Sequence, residues 1–163
     1  MFGLFKKNKK ETTVSFHAVA KGTAIPLEAV GDGVFSSKML GDGYAVKPET
    51  EEVFAPVVGK VVSVFPTKHA ITIETEEGLE ILVHMGIDTV ELKGEPFEVF
   101  VTEGQAVTPA TKLANMDLAK LAETNTTSTI VVVVTNMDKV SAVSTVNEHA
   151  VAAQEEVATV TVA

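Results

Sequence analysis

The sequence predicts an all-β protein, an antiparallel β-sandwich or barrel-sandwich of short strands with at most one or two short helical turns. Three observations carry this prediction. Runs rich in Val, Ile, Thr and Phe recur every few residues along the 163-residue chain, each bounded by Gly, Pro, Asp or Asn. Helical periodicity is almost absent. Apolar residues make up 45% of the chain, enough to fill the core of one compact domain.

Taken in order, residues 1–12 read as a flexible lysine-rich tail and 13–163 as a single β domain. The opening MFGLFKKNKK sets Phe2, Leu4 and Phe5 beside Lys6, Lys7, Lys9 and Lys10. That is the composition of a weak amphipathic anchor, so residues 1–10 are a candidate for peripheral contact with an anionic membrane. A solvated tail is the plainer reading.

The strand-like runs then follow: VSFHAV, TAIPL, GVFS, GYAVKP, EVFAPV, GKVVSVF, HAITIET, LEILVHM, PFEVFV, AVTPATKL, TIVVVVT and EVATVTVA. One short helix is expected where Asp117 caps LAKLAETN. The unbroken apolar run Val131 to Val134 fits a strand buried on both faces. FHAVAKGTAIPL and VFAPVVGKVVSV echo each other, with Gly22 and Gly59 at matching places where backbones should approach closely. STVNEHAVAAQ reads as the least constrained connector.

Charge and composition remove several function classes. Twenty-two acidic against thirteen basic residues leave a net charge of −9, which argues against a nucleic-acid face. Every basic residue is lysine, so the bidentate arginine clamp for phosphate is missing. The absence of cysteine removes disulfides, thiolate metal sites and thiol nucleophiles, and fits a reducing, cytoplasmic setting. No apolar run approaches a membrane span, and the start lacks the apolar core of a secretory signal.

Two of the four histidines, His69 and His84, bracket the hairpin-like stretch ITIETEEGLEILVHMGID. A two-residue turn at Glu76–Glu77 pairs residues summing to 153 and sets His69 opposite His84; a turn at Glu77–Gly78 makes the pair diagonal on one face. A three-residue turn puts them on opposite faces and gathers Ile71, Ile73, Ile81 and Val83 on one side, so the apolar pattern leaves that register open. Converging imidazoles, much of whose population is neutral near pH 7, suit phosphoryl transfer onto a ring nitrogen. One ring attacks in line and a neighbouring N–H donor stabilises the phosphoryl oxygens. Acyl-transfer triads and nucleotide loops have no matching motif, and neither HxH nor HxxxH occurs. His17 and His149 read as partly buried packing residues.

The stretches VHMGIDTVELKGEPF, TKHAITIE, GDGYAVKP, VFAPVVGKV and TNMD together resemble the glucose-family EIIA protein or domain of the bacterial phosphoenolpyruvate-dependent sugar phosphotransferase system. The likeness runs over roughly residues 15–140 and makes 13–163 a single EIIA-like domain. It implies a β-sandwich phosphocarrier without a required cofactor, acting as a cytoplasmic monomer within a phosphotransferase pathway. His84 is implied as the phosphorylated nucleophile, receiving the group from phospho-HPr and passing it to the EIIB domain of a sugar permease. His69 is implied as its stabilising neighbour and Thr67 as the residue that orients His69. The resemblance thereby favours a register that sets both rings toward one depression.

Phe35, Met39, Leu40, Phe65 and Leu82 would then be apolar docking side chains, with Asp32, Asp88 and Glu91 an acidic rim for basic partners. Regulatory target proteins would bind in one phosphorylation state. Some positions depart from the family pattern: His17 and Ala18 replace an apolar–Ala–Pro sequence, Ser37 stands where an acidic residue is common, and Ala110 replaces a turn glycine.

Two alternatives stand beside this reading. One is a regulatory module in which His69 and His84, with a partner's carboxylate, hold Zn at an interface. The other is a biotinyl- or lipoyl-like carrier, for which Lys38 and Lys139 are the poorly matching attachment candidates.

Overall fold

The computed structural model describes residues 11–163, and the predicted N-terminal segment 1–10 lies outside the described residues. The described strands are β1 (Thr13–His17), β2 (Gly22–Pro26), β3 (Asp42–Pro48), β4 (Glu52–Phe54), β5 (Gly59–Val64), β6 (Ala70–Glu74), β7 (Glu80–Met85), β8 (Phe97–Val99), β9 (Ala106–Val107), β10 (Lys112–Met116), β11 (Ile130–Val134), β12 (Val140–Val143), β13 (His149–Val151) and β14 (Glu156–Val162). One short helix, α1 (Leu118–Glu123), begins at Asp117, whose carboxylate accepts the backbone N–H of Lys120. Three 3-10 turns, Leu27–Val30, Thr89–Leu92 and Met137–Lys139, occupy connections.

All pairings are antiparallel. One sheet has eight strands in the order β13-β2-β3-β11-β7-β6-β5-β9, and two three-stranded sheets run β1-β14-β12 and β4-β10-β8. The sequence echo is a structural duplication. Strands β1, β2, β3, β11, β12, β13 and β14 correspond, in chain order and in neighbours, to β4, β5, β6, β7, β8, β9 and β10. The two echo segments bond reciprocally: His17 N–H donates to the Pro56 carbonyl at 2.8 Å and Phe54 N–H to the Val19 carbonyl at 2.7 Å. At Gly22 and Gly59 a Cβ would strike the carbonyls of Lys47 and Glu74, which accounts for both glycines.

The two halves meet along β7 and β11 at the middle of the large sheet, with Val131 opposite His84. Every residue of β11 is buried. Ile130, Val132 and Val134 face the main core, whereas Val131 and Val133 face a smaller cluster with Ile25, Leu27, Phe35 and Ala45. The connection between β2 and β3 therefore covers the outer face of one half. The corresponding outer face of the other half, around Leu82 and His84, is only partly covered.

Some expectations need correction. GVFS is not a strand. Asp32 accepts N–H bonds from Phe35 and Ser36, both at 2.9 Å, and folds that segment into turns. The supposedly unconstrained STVNEHAVAAQ contains β13, which pairs with β2, and it buries Val146 in the core. The β6–β7 register is also neither of the two that would set His69 and His84 on one face by alternation. Ala70 pairs with His84 and Ile73 with Ile81, so Glu76, Glu77 and Gly78 form a three-residue turn. Gly78 adopts φ +92°, the left-handed residue that closes such a turn, and its N–H donates to the Thr75 carbonyl at 3.0 Å. The apolar set Ile71, Ile73, Ile81 and Val83 is thereby buried together.

Candidate functional site

With that register, strict alternation would separate the two histidines, yet their ring centroids lie 4.9 Å apart at 76°. The reason is local. His69 stands one residue before β6, and Lys68 beside it has φ +61° within a turn closed by its N–H bond to the Phe65 carbonyl at 2.7 Å. The His69 carbonyl accepts the N–H of Met85 at 2.7 Å, which carries the β6–β7 register one pair beyond β6, so the departure lies in the turn just ahead of His69 and not in a slipped ladder. Period-two alternation does not govern its ring.

Each imidazole is oriented by one hydrogen bond. Nδ1 of His84 lies 2.7 Å from the Gly86 carbonyl, which can only accept, so this nitrogen carries the proton and Nε2 keeps its lone pair. Nδ1 of His69 lies 2.7 Å from the Thr67 hydroxyl, which can donate or accept. Burial lowers the pKa of His84; the Gly86 carbonyl opposes that shift, His69 adds to it, and Asp32 and Asp88 oppose it. Burial likewise lowers that of His69, offset in part by the Thr67 backbone carbonyl. Both rings are therefore mainly neutral near pH 7, and His84 Nε2 is a competent nucleophile.

The rings sit in a depression of about 480 Å³. Phe35, Leu40, Phe65 and Leu82 line it, and so do Asp32 and Asp88. Phe35 is not an exposed docking side chain: it is 6% exposed and lies against His84 with ring centroids 5.0 Å apart. Phe65 meets His69 edge-on at 5.5 Å. Met39 is 74% exposed, but neither it nor Glu91 lines the depression. Thr67 acts on it only through His69.

Asp32 also differs from a free rim carboxylate. Burial pushes its pKa up, but the N–H bonds from Phe35 and Ser36 outweigh this and hold it below the usual range. Three lining residues, Val34, Ile87 and Val90, were not anticipated. They lie in turns and a 3-10 segment, where no periodicity marks a face.

His17 is half-buried and His149 exposed, and each ring instead bonds a backbone carbonyl, that of Gln154 and Asn147 respectively. Lys38 is ion-paired with Glu28 at 3.3 Å and Asp42 at 3.6 Å, and Lys139 ends a 3-10 turn; neither stands at a tight hairpin tip. Among the described residues, no group of three or more His, Asp or Glu side chains converges as a metal site, so the two imidazoles alone form an incomplete ligand set. Among them, too, no helix is long and apolar enough to cross a membrane.

A β-sandwich that presents a partner-free histidine nitrogen beside a second imidazole, in an apolar depression, defines a candidate histidine phosphocarrier. The family model described as phosphoenolpyruvate-dependent sugar phosphotransferase system, EIIA 1, matches residues 14–140, and the chain belongs to that family. Among its relatives is the glucose-specific EIIA component of Oceanobacillus iheyensis, 43% identical over 155 residues that cover 95% of this chain and 93% of that protein. The glucose-specific EIICBA component of Streptococcus pneumoniae is 45% identical over 151 residues, covering 93% of this chain but 21% of that longer protein. The solved structure of glucose permease IIA from Mycoplasma capricolum superposes with a TM-score of 0.84 at 40% identity, covering 91% of this chain and 96% of the other.

Proposed function

We propose that this EIIA component carries a phosphoryl group on Nε2 of His84, taking it from phospho-HPr and passing it to an EIIB domain during sugar uptake. The observation that supports this most is the 2.7 Å bond from His84 Nδ1 to Gly86, which leaves Nε2 as the attacking atom in the depression. The lone pair of Nε2 forms a new N–P bond as the donor's bond to phosphorus breaks, and its electron pair returns to the donor. The Nδ1 proton stays on the Gly86 hydrogen bond throughout. His69 presents its Nε2–H to the phosphoryl oxygens when Thr67 donates its hydroxyl proton to Nδ1.

The apolar walls limit water access to the phosphohistidine, and Leu40, Phe65, Val34 and Val90, each about half exposed, offer a weak, shared docking face. The relatives named for glucose make glucose the proposed sugar, and the fused EIICBA relative makes an EIIB domain the proposed acceptor. The setting is cytoplasmic, where both partners would be met. Zn bridged to a partner's carboxylate would use the same two imidazoles, so it and phosphorylation exclude each other, as state-dependent regulatory binding requires.

Incubation with phosphoenolpyruvate, enzyme I and HPr tests the proposal. Acid-labile, base-stable label is expected on His84 and none on the His84→Ala variant. His69→Ala should accept phosphate and hand it on slowly. Label on another residue, or none, overturns the reading.

A further inference from the structure

Resting on the phosphocarrier reading, we propose that the carboxylates of Asp32 and Asp88 set how strongly His84 holds its phosphoryl group, by opposing the charge it brings into a depression that no cationic side chain lines among the described residues. Among the described residues the lining consists of these two carboxylates, the two imidazoles and apolar side chains, with no lysine, and the chain has no arginine. A phosphoryl group adds about −1.5 to −2 charges at neutral pH. Asp88 is exposed and Asp32 partly buried, so their repulsion of that charge acts partly through solvent and is weakened by salt.

Neither carboxylate is ion-paired among the described residues. Asp32 is fixed by its bonds to the Phe35 and Ser36 amides, which also favour its ionised form. Asp88 stands at φ +60°, ahead of the 3-10 turn Thr89–Leu92, and makes no ion pair among the described residues. Both also act electrostatically on His84. Phosphorylated His84 is therefore raised in free energy in the undocked protein, which shifts the distribution of the group toward the other carriers.

This role is separable from docking. The equilibrium distribution of a phosphoryl group between two free carriers depends on the free energies of their phosphorylated and unphosphorylated forms. The docked complex does not enter that equilibrium. Carboxylates that serve docking alone change rates and leave the distribution untouched.

The experiment loads HPr and this protein with phosphate, removes enzyme I, and measures the ratio of phospho-His84 protein to phospho-HPr at equilibrium. Asp88→Asn is the principal variant, because asparagine tolerates the left-handed backbone of that position. It should raise the ratio about three- to tenfold, with a smaller gain in about 0.5 M salt. Asp32→Asn should shift it in the same direction, and Glu123→Gln on α1 should leave it unchanged. An unchanged or lower ratio in natively folded Asp88→Asn, or a gain insensitive to salt, overturns the inference. Failure of the unsubstituted protein to take label on His84 would instead overturn the phosphocarrier reading itself.

Discussion

The hydroxyl of Thr67 lies 2.7 Å from Nδ1 of His69, and this contact decides which nitrogen of that ring can donate toward His84. With the hydroxyl donating, the proton sits on Nε2. Thr67→Ala frees the ring to adopt either tautomer and to turn. Onward transfer from phospho-His84 should fall about 10- to 100-fold, while Thr67→Ser retains most of it. Nitrogen-15 NMR of the His69 ring, read beside the transfer rate, separates this role from a merely structural one.

Both active-site imidazoles have lowered pKa values, first of all through burial. The unfolded chain therefore takes up protons near pH 6.5 that the folded chain takes up only at lower pH. Stability should be level above about pH 7 and should decline as pH falls from about 6.5 through the folded-state values. Denaturant unfolding across that range should show the decline flattened in His84→Gln and in His69→Gln. Phosphoryl acceptance should fall over the same acid limb, because a protonated Nε2 has no lone pair to attack with.

Phe35 joins stability to chemistry. It is buried in the smaller cluster beside Val131 and Val133, and it forms the wall against which His84 rests. Phe35→Ala should cost about 3–5 kcal/mol in thermal or denaturant unfolding. It should also shorten the half-life of the phosphohistidine by admitting water. Phe35→Leu should keep most of the stability.

In the core, the Tyr44 hydroxyl donates to the His17 carbonyl at 2.6 Å, with the ring edge-on to Phe16. Burial pushes its pKa up, so it remains a neutral donor. Tyr44→Phe should lower stability by about 1–3 kcal/mol, since the carbonyl loses its partner. Phosphoryl acceptance measured well below the melting transition should be unchanged.

The all-β class, the Asp117-capped helix, the doubly buried strand β11 and the two echo halves were legible in the sequence. Each rests on local chemistry, namely β-branched runs, a capping carboxylate, and glycines where a Cβ would meet a carbonyl. The two histidines were legible as a pair, together with most of the apolar and acidic residues around them. Their convergence was not derivable from spacing. The three-residue turn ending at Gly78 sets a register in which alternation would separate the rings, and the left-handed Lys68 just ahead of His69 overrules that alternation. The lining roles of Val34, Ile87 and Val90, and the burial of Phe35, were also set by tertiary packing. These residues lie in connections whose side-chain directions follow from what they pack against, and no repeat along the chain encodes that.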